Sequence, residues 1–482
     1  MPDEVTLIGL DFGTTTSSAV VASARLTRSA ATGRRDLTEV HERYRSDMVF
    51  TPLDENGRLD ESRVAALLDG WLAAGAVDSA QVFGGGALLT GMTAQRENAA
   101  AIVRLVRERL GDALIATADD PRLESWLAFM GSCATLSRNH PRQPILNLDI
   151  GGGTTNFALG RDGQVQRTGC FYIGARHVRV VPGTYEIAAL TKYAEAVLQY
   201  LKIDREVGDV LAPGEVDAMI DHSLALLEAA ATGATQTFEH PVVQQQHVQV
   251  PFVLAPSESD AAITFSGGVG ELIYASIDGH PWPATTQFGD LGIDLARRIV
   301  ESKVFAPHIR RLQPDSAGRA TVYGLLRHTT EISGSTLFLP DSKILPLADL
   351  PIFGCWHRDS TDAEIAGLID LVRHSPRGGC VQVRLGTRDA AALKQFGTRL
   401  ADALDQDAFP TDLPLVLLMR ENLGKILGSY VTRWGALPLN LIVVDEVAQR
   451  DAQFVQIGTP HSQVVPVSFY GLNEPGDARC TH

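Results

Sequence analysis

The residues Asp11-Phe12-Gly13-Thr14-Thr15-Thr16 cut an apolar run at 5–10 from a second apolar run at 18–23. Short apolar runs on either side of a Gly-Thr stretch read as strand, tight turn, strand. The arrangement returns later in the chain. An apolar run at 145–150 leads into Asp149-Ile150-Gly151-Gly152-Gly153-Thr154-Thr155, continues through Phe157-Ala158-Leu159, and turns again at Arg161-Asp162-Gly163. An aspartate, an apolar residue, a glycine and a threonine pair therefore recur between two strands. A repeat of this kind is what a duplicated unit leaves behind. A third strand is expected to end at Ser266-Gly267-Gly268-Val269-Gly270-Glu271, with a helix after it.

The turns carry a definite chemistry. A strand-turn-strand tipped with Gly and Thr aims several N–H groups and hydroxyls in one direction, which is a nest for phosphate oxygens. Gly13, Gly151, Gly152 and Gly153 let the backbone approach a ligand without a Cβ in the way. Thr14, Thr15, Thr16, Thr154 and Thr155 add hydroxyl donors. Each strand also ends in an aspartate, and a carboxylate beside a triphosphate is repulsive unless a cation lies between them. Asp11 and Asp149 are therefore the candidate catalytic residues. They are expected to hold Mg²⁺ through its waters and to orient an attacking water. Gly267 and Gly268 would let a base and ribose lie against the backbone, and Glu271 would reach the ribose or simply complement the helix dipole. Asn156 would touch phosphate or close the hairpin.

A chain of 482 residues is too long for one core. The expected divisions are a first lobe over 1–145, a second over 146–375, a small parallel α/β unit over 376–470 and a flexible polar tail over 471–482. The second lobe would carry a helical insertion at 203–260 with a loop at Gln244-Gln245-Gln246. Helices are expected at 61–74 and 98–110, and a glycine-broken strand at 82–89. In the last unit, strands at 380–385, 413–418 and 441–445 alternate with helices at 389–404 and 423–434. Gly84 to Gly86, Gly378 and Gly379 read as turn or packing glycines. His240 and His247 are expected at the surface.

The net charge of −15 repels phosphate backbones and disfavours a nucleic-acid partner. Cys133, Cys170, Cys355, Cys380 and Cys480 form no C-x-x-C pair and suit a reducing compartment as small buried residues. The start of the chain lacks a signal-peptide core, and no apolar run is long enough to span a membrane. A cytoplasmic protein with no membrane partner is expected.

Asp11 to Thr16, Asp149 to Thr155 and Ser266 to Gly270 resemble the two phosphate motifs and the adenosine motif of the actin, DnaK-chaperone and sugar-kinase ATPase superfamily. Over nearly the whole chain the sequence is similar to the ethanolamine ammonia-lyase reactivating factor (EutA) family. The flanking stretches carry this closer likeness: Tyr44-Arg45-Ser46, Thr90-Gly91-Met92-Thr93-Ala94, Leu123-Glu124-Ser125, Asn147-Leu148-Asp149, Thr168-Gly169-Cys170, Glu331-Ile332-Ser333-Gly334-Ser335-Thr336 and Val464-Val465-Pro466-Val467. The likeness implies an α/β fold of duplicated actin-like (ribonuclease H-like) lobes around a nucleotide cleft, with ATP and Mg²⁺ as cofactors. It also implies the partner, an adenosylcobalamin-dependent ethanolamine ammonia-lyase. Such factors work as chaperones that spend ATP to release damaged cobalamin so that intact cofactor can enter. Homodimer formation and association with a bacterial microcompartment are left open. The sequence departs from the family pattern at 324–327, where a glycine-alanine-glycine turn is expected, at 119–122, and in the tail.

Three other classes fit the phosphate turns. A metabolite kinase would need a carboxylate base in an inter-lobe cleft and shows no signature of its own here. A cytoskeletal, membrane-tethered actin-like ATPase would carry a terminal amphipathic helix, which 471–475 cannot form. A nucleotide-gated binding module without turnover would have no use for both aspartates.

Overall fold

A computed structural model describes residues 4–28, 34–54, 58–90, 98–111, 115–118, 120–239, 247–387, 389–406, 408–448 and 450–472. The chain opens with β1 (Glu4–Phe12), β2 (Thr16–Arg28) and β3 (Arg35–Arg45). The short β4 (Val49–Phe50), helix α1 (Glu61–Ala74), β5 (Val82–Leu89), helix α2 (Ala99–Leu110) and β6 (Ile115–Ala118) follow. Their sheet runs β3-β2-β1-β5-β6, antiparallel through the first three strands and parallel thereafter, with β4 paired to β2. β5, the glycine-broken strand expected at 82–89, is buried along its whole length. Gly85 sits at φ 109°, and a Cβ there would lie 1.8 Å from the Ile8 carbonyl oxygen. Gly85 thus lets the strand lie against β1, while Gly84 leaves room for the Thr330 side chain, whose Oγ1 a Cβ would meet at 2.4 Å.

Helix α3 (Pro121–Ser132), capped by the Asp120 side chain, and α4 (Ala134–Asn139) lead into a second sheet. Its strands are β7 (Ile145–Ile150), β8 (Thr155–Arg161), β9 (Gln164–Phe171), β12 (Val248–Val250) and β13 (Ala262–Ser266), in the order β12-β9-β8-β7-β13. The ribbon of β10 (Val178–Val180) and β11 (Ile187–Leu190) stands apart from it. In both sheets a central strand pairs antiparallel with the next strand on one side and parallel with a later strand on the other. This is the duplicated, ribonuclease H-like, actin-like architecture that the repeated turns imply. The registers match as well: Asp11 faces Ser18 across β1 and β2, and Asp149 faces Asn156 across β7 and β8.

Helix α5 (Lys192–Leu201) precedes the insertion expected at 203–260, which contains α6 (Pro213–Thr232). The insertion is not wholly helical, because β12 returns to pair with β9. His247 is a correction: it is 4% exposed, and its Nε2 lies 3.3 Å from His222 Nε2. The chain folds back to reach β9 at this point and carries the imidazole inside. His240 and 244–246 lie outside the described residues. Helices α7 (Gly267–Ile277), α8 (Gly292–Glu301) and α9 (Ala306–Ile309) complete this lobe.

The expected turn at 324–327 is instead part of helix α10 (Ala320–His328). Its glycine has a packing role. A Cβ at Gly324 would lie 2.2 Å from the Leu127 carbonyl oxygen, and one at Gly131 would lie 1.9 Å from the Ala320 carbonyl oxygen. The small residues bring α3 and α10 backbone to backbone. The crossing links the two halves: α3 follows the first sheet yet packs on β8 and β9, and α10 follows the second lobe yet packs on β1 and β5.

The last sheet starts earlier than the expected boundary near 376. It comprises β14 (Thr330–Ile332), β15 (Leu347–His357), β16 (Gly379–Arg384), β17 (Leu415–Met419), β18 (Leu441–Val444), β19 (Ala452–Ile457) and β20 (Pro466–Leu472). The order is β14-β20-β19-β15-β16-β17-β18, with β15 to β18 parallel. Helices α11 (Asp362–Arg373), α12 (Ala390–Gln406) and α13 (Gly424–Val431) pack with it around Trp356, Phe396 and Val443. Cys133, Cys170 and Cys380 are buried and Cys355 is half-buried; Cys480 and 473–482 lie outside the described residues. No helix among the described residues is long and apolar enough to cross a membrane.

Candidate functional site

The two turns have one geometry. Gly13 N–H donates to the Thr16 carbonyl at 2.9 Å, and Gly151 N–H donates to the Thr154 carbonyl at 2.9 Å. They also meet each other. A Cβ on Gly152 would lie 2.0 Å from Thr15 Oγ1, so the tip of the second turn touches a side chain of the first. Gly13, Thr14, Thr15 and Thr16 on one side and Gly151, Gly152 and Gly153 on the other are thereby brought to a single place. Thr51 braces the first turn, its hydroxyl donating to the Gly13 carbonyl at 2.6 Å. Gly174 backs the second, where a Cβ would be 2.5 Å from the Gly152 carbonyl oxygen.

The aspartates flank this contact at the ends of β1 and β7. Asp11 accepts from Thr90 Oγ1 at 3.0 Å and from Thr321 Oγ1 at 2.5 Å. Thr321 belongs to α10, so this carboxylate sees the link between the lobes. Asp149 accepts from Ser266 Oγ at 2.5 Å; Asn147 in turn donates to Ser266 Oγ at 2.8 Å. Burial pushes the Asp11 carboxyl up to about 6 against its hydroxyl donors. Burial pushes Asp149 up to about 7, and the negative charge of Asp11 adds to the rise. The charge of Asp11 adds to the cost that burial puts on ionising Asp149, and a cation beside the two carboxyl groups would relieve it.

The residues present suit a magnesium-bound polyphosphate. Thr15 Oγ1 is buried and makes no hydrogen bond. A hydroxyl left in that state costs about 1–3 kcal/mol, which an oxygen between the turns would remove. The turns supply N–H groups without a Cβ in the way, and the carboxyl pair supplies the anionic ligands of a hydrated hard cation. Thr155 is different: its hydroxyl donates to the Ile173 carbonyl at 2.8 Å and so serves the sheet. Thr154 is buried in the turn beside it. Asn156 pairs with Asp149 in the β7–β8 hairpin, and its Oδ1 accepts from Ser125 Oγ of α3 at 3.4 Å.

The adenosine candidates separate. Gly267 has φ 77°, and a Cβ there would sit 2.5 Å from the Ile150 carbonyl oxygen, so it lets β13 meet β7 behind the second turn. Gly268 has open space above it. Glu271 points toward Gly318, where a Cβ would meet its Oε2 at 2.4 Å. It lines a cavity of about 340 Å³ with Arg45, Tyr274, Arg319 and Tyr323, between the two lobes.

Several side chains at the site were not anticipated: Thr90, Thr321, Ser266 as the partner of Asp149, and Arg176 with Asp290. The loop at 174–177 is bonded to the second turn, Ala175 N–H to the Gly151 carbonyl at 3.0 Å and Arg176 N–H to the Gly152 carbonyl at 2.6 Å. The one sequence signal for it is Gly174, three residues after β9.

The profile of the family described as ethanolamine utilisation protein EutA matches residues 3–473. The ethanolamine ammonia-lyase reactivase EutA of Salmonella typhimurium is 30% identical, over 97% of this chain and 98% of its own. Its Escherichia coli namesake is 29% identical over the same shares. Among solved structures, an exopolyphosphatase-like protein has a TM-score of 0.37 at 18% identity, covering 58% of this chain and 70% of its own. MreB 5 of Spiroplasma citri bound to AMPPNP has a TM-score of 0.28 at 17% identity, covering 61% and 96%. With a profile match from residue 3 to residue 473, this chain belongs to the EutA family.

Proposed function

We propose that the protein is an ATP-driven reactivating factor for an adenosylcobalamin-dependent ethanolamine ammonia-lyase. It would release damaged cobalamin from the lyase so that intact cofactor can bind, and its place is with the lyase in the cytoplasm. The observation that carries this reading is the end-to-end likeness to two proteins named for that activity. The site supports the energy source. Asp11 and Asp149 would hold the waters of Mg²⁺ and orient the water that attacks the phosphate. Gly13, Thr14, Thr15, Gly151, Gly152 and Gly153 would hold the phosphate oxygens, and Gly268 would lie under the adenosine. ATP bound with Mg²⁺ supplies the free energy when it is hydrolysed.

ATP can drive a partner only if it binds two conformations unequally. The elements for that are on hand. The turns belong to different lobes, they touch directly at Thr15 and Gly152, and the lobes are joined by the α3–α10 crossing beside Asp11. A phosphate entering between the turns must part them, and the movement is passed to α10 through Thr321.

The test is reactivation. A lyase inactivated with cyanocobalamin should regain activity when this protein, ATP, Mg²⁺ and adenosylcobalamin are added together, and not when either ATP or the protein is left out. Equal recovery without the protein would refute the reading. Phosphorylation of a sugar in a parallel assay would replace it with a kinase.

A further inference from the structure

The phosphate turns contain no cation. Neither 11–16 nor 149–156 holds a lysine or arginine, yet two carboxylates stand where a polyphosphate would lie. One Mg²⁺ does not neutralise that much negative charge. The guanidinium at the turns belongs to Arg176. Its backbone N–H is bonded to the Gly152 carbonyl, and its Cβ lies 3.4 Å from the position a Gly152 Cβ would take. The side chain is 16% exposed.

For a buried guanidinium it is poorly held. Nη1 is buried and donates no hydrogen bond. The nearest carboxylate oxygen, Asp290 Oδ2, is 3.7 Å away, beyond hydrogen-bond length. Asp290 is itself engaged, accepting from Gly292 N–H at 3.0 Å. The guanidinium also lies over the ring of Phe50, its carbon 5.2 Å from the ring centre. Phe50 is in the opposite lobe, is 59% exposed, and pairs with Thr16 of the first turn. The guanidinium thus spans from one turn to the other with donor capacity to spare.

We infer that Arg176 reads the terminal phosphate of a bound nucleoside triphosphate, exchanging its loose contacts with Asp290 and Phe50 for phosphate oxygens. The inference rests on the nucleotide reading above and adds a residue that distinguishes triphosphate from diphosphate. A planar guanidinium with free N–H groups suits a phosphate bidentately. Because Phe50 lies across the cleft, taking the guanidinium away from it also frees one contact between the lobes.

The experiment is titration calorimetry on the full chain with Mg²⁺-ADP and with the Mg²⁺ complex of a non-hydrolysable β,γ-imido ATP analogue. Arg176→Met keeps the buried stem and removes the charge. It should weaken the triphosphate analogue by about 10- to 100-fold, the worth of a charge-assisted hydrogen bond or pair, and leave ADP within about twofold. Arg176→Lys should fall between, and Phe50→Ala should keep the preference for triphosphate. Equal losses for both nucleotides in Arg176→Met would make the residue a brace for the second turn and overturn the inference. So would a loss in Phe50→Ala as large as that in Arg176→Met, which would make the pair a latch between lobes. A wild-type protein that binds neither nucleotide would remove the proposed function along with it, whereas an unchanged preference in Arg176→Met removes this inference alone.

Discussion

Asp149→Asn should hydrolyse ATP about 10²-fold or more slowly than the unsubstituted chain, with its fold and its nucleotide binding retained; Asp11→Asn should behave alike. The size is that of a lost group that orients water or a metal. Asparagine keeps the shape and can still accept from Ser266, whose hydroxyl now holds Asp149. The same variant has a second signature, in stability. The carboxyl of an unfolded aspartate titrates near 3.8, and that of Asp149 in the fold near 7. The folded chain therefore holds this proton more tightly than the unfolded chain does. Its contribution is complete below about pH 4 and is lost as the pH rises through 7. Without nucleotide or Mg²⁺, the group makes the protein less stable at pH 8 than at pH 5. An amide has no charge to bury, so Asp149→Asn should melt above the unsubstituted chain at pH 8, and the gap should narrow toward pH 5 and close only below about pH 4. Steady-state turnover and melting curves at the two pH values read both effects. A folded variant with undiminished turnover would leave only a pair of phosphate-binding hairpins, and a variant less stable at pH 8 would mean that the carboxylate is not penalised by burial.

What the sequence disclosed about this site follows the range of the interactions. Each turn is closed by a hydrogen bond between residues three apart, and each aspartate stands at the end of the strand that precedes its turn. Such features are written in a few consecutive letters. Duplication then makes the two lobes visible, because the same letters return. The partners of the aspartates are of another kind. Thr321 comes to Asp11 from a helix that follows the second lobe, and Ser266 comes to Asp149 from a parallel strand more than a hundred residues on. No local pattern marks a threonine in a helix as the neighbour of a distant carboxylate. Arg176 is hidden for the same reason: its place is set by two backbone bonds to Gly151 and Gly152. Glycine at 324 was visible but ambiguous, since the residue that permits a turn also permits two helices to touch. The early start of the last sheet was missed because β15 alternates between buried and half-buried residues and lacks the unbroken apolar run of β17 and β18.

Mg²⁺-ATP should raise the melting temperature of the unsubstituted chain, and Gly152→Val should abolish the shift. A ligand bound to the folded state alone, at a hundredfold excess over its Kd, stabilises by about 2.7 kcal/mol, so the difference between the two proteins is large. The reason is local. A first carbon on residue 152 falls 2.0 Å from Thr15 Oγ1 and 3.3 Å from Thr15 Cβ, and valine adds two methyl groups at the point where phosphate would enter. The fold itself should survive. Gly152 lies at the lobe contact outside any strand, and the sheets behind the turns are closed by β1, β2, β7 and β8 without its help. A paired substitution separates a blocked site from a distorted one. In Thr15→Ala with Gly152→Ala the colliding hydroxyl is gone and the added carbon is small, so part of the shift should return, although Thr15→Ala by itself weakens binding through the lost donor. Recovery in the double variant above the level of Gly152→Ala alone would establish that the two turns bind as one site across the cleft. A Gly152→Val protein that is folded and still melts later with Mg²⁺-ATP would show that nucleotide binds elsewhere, and the two turns would then be the contact surface of two lobes with no ligand between them.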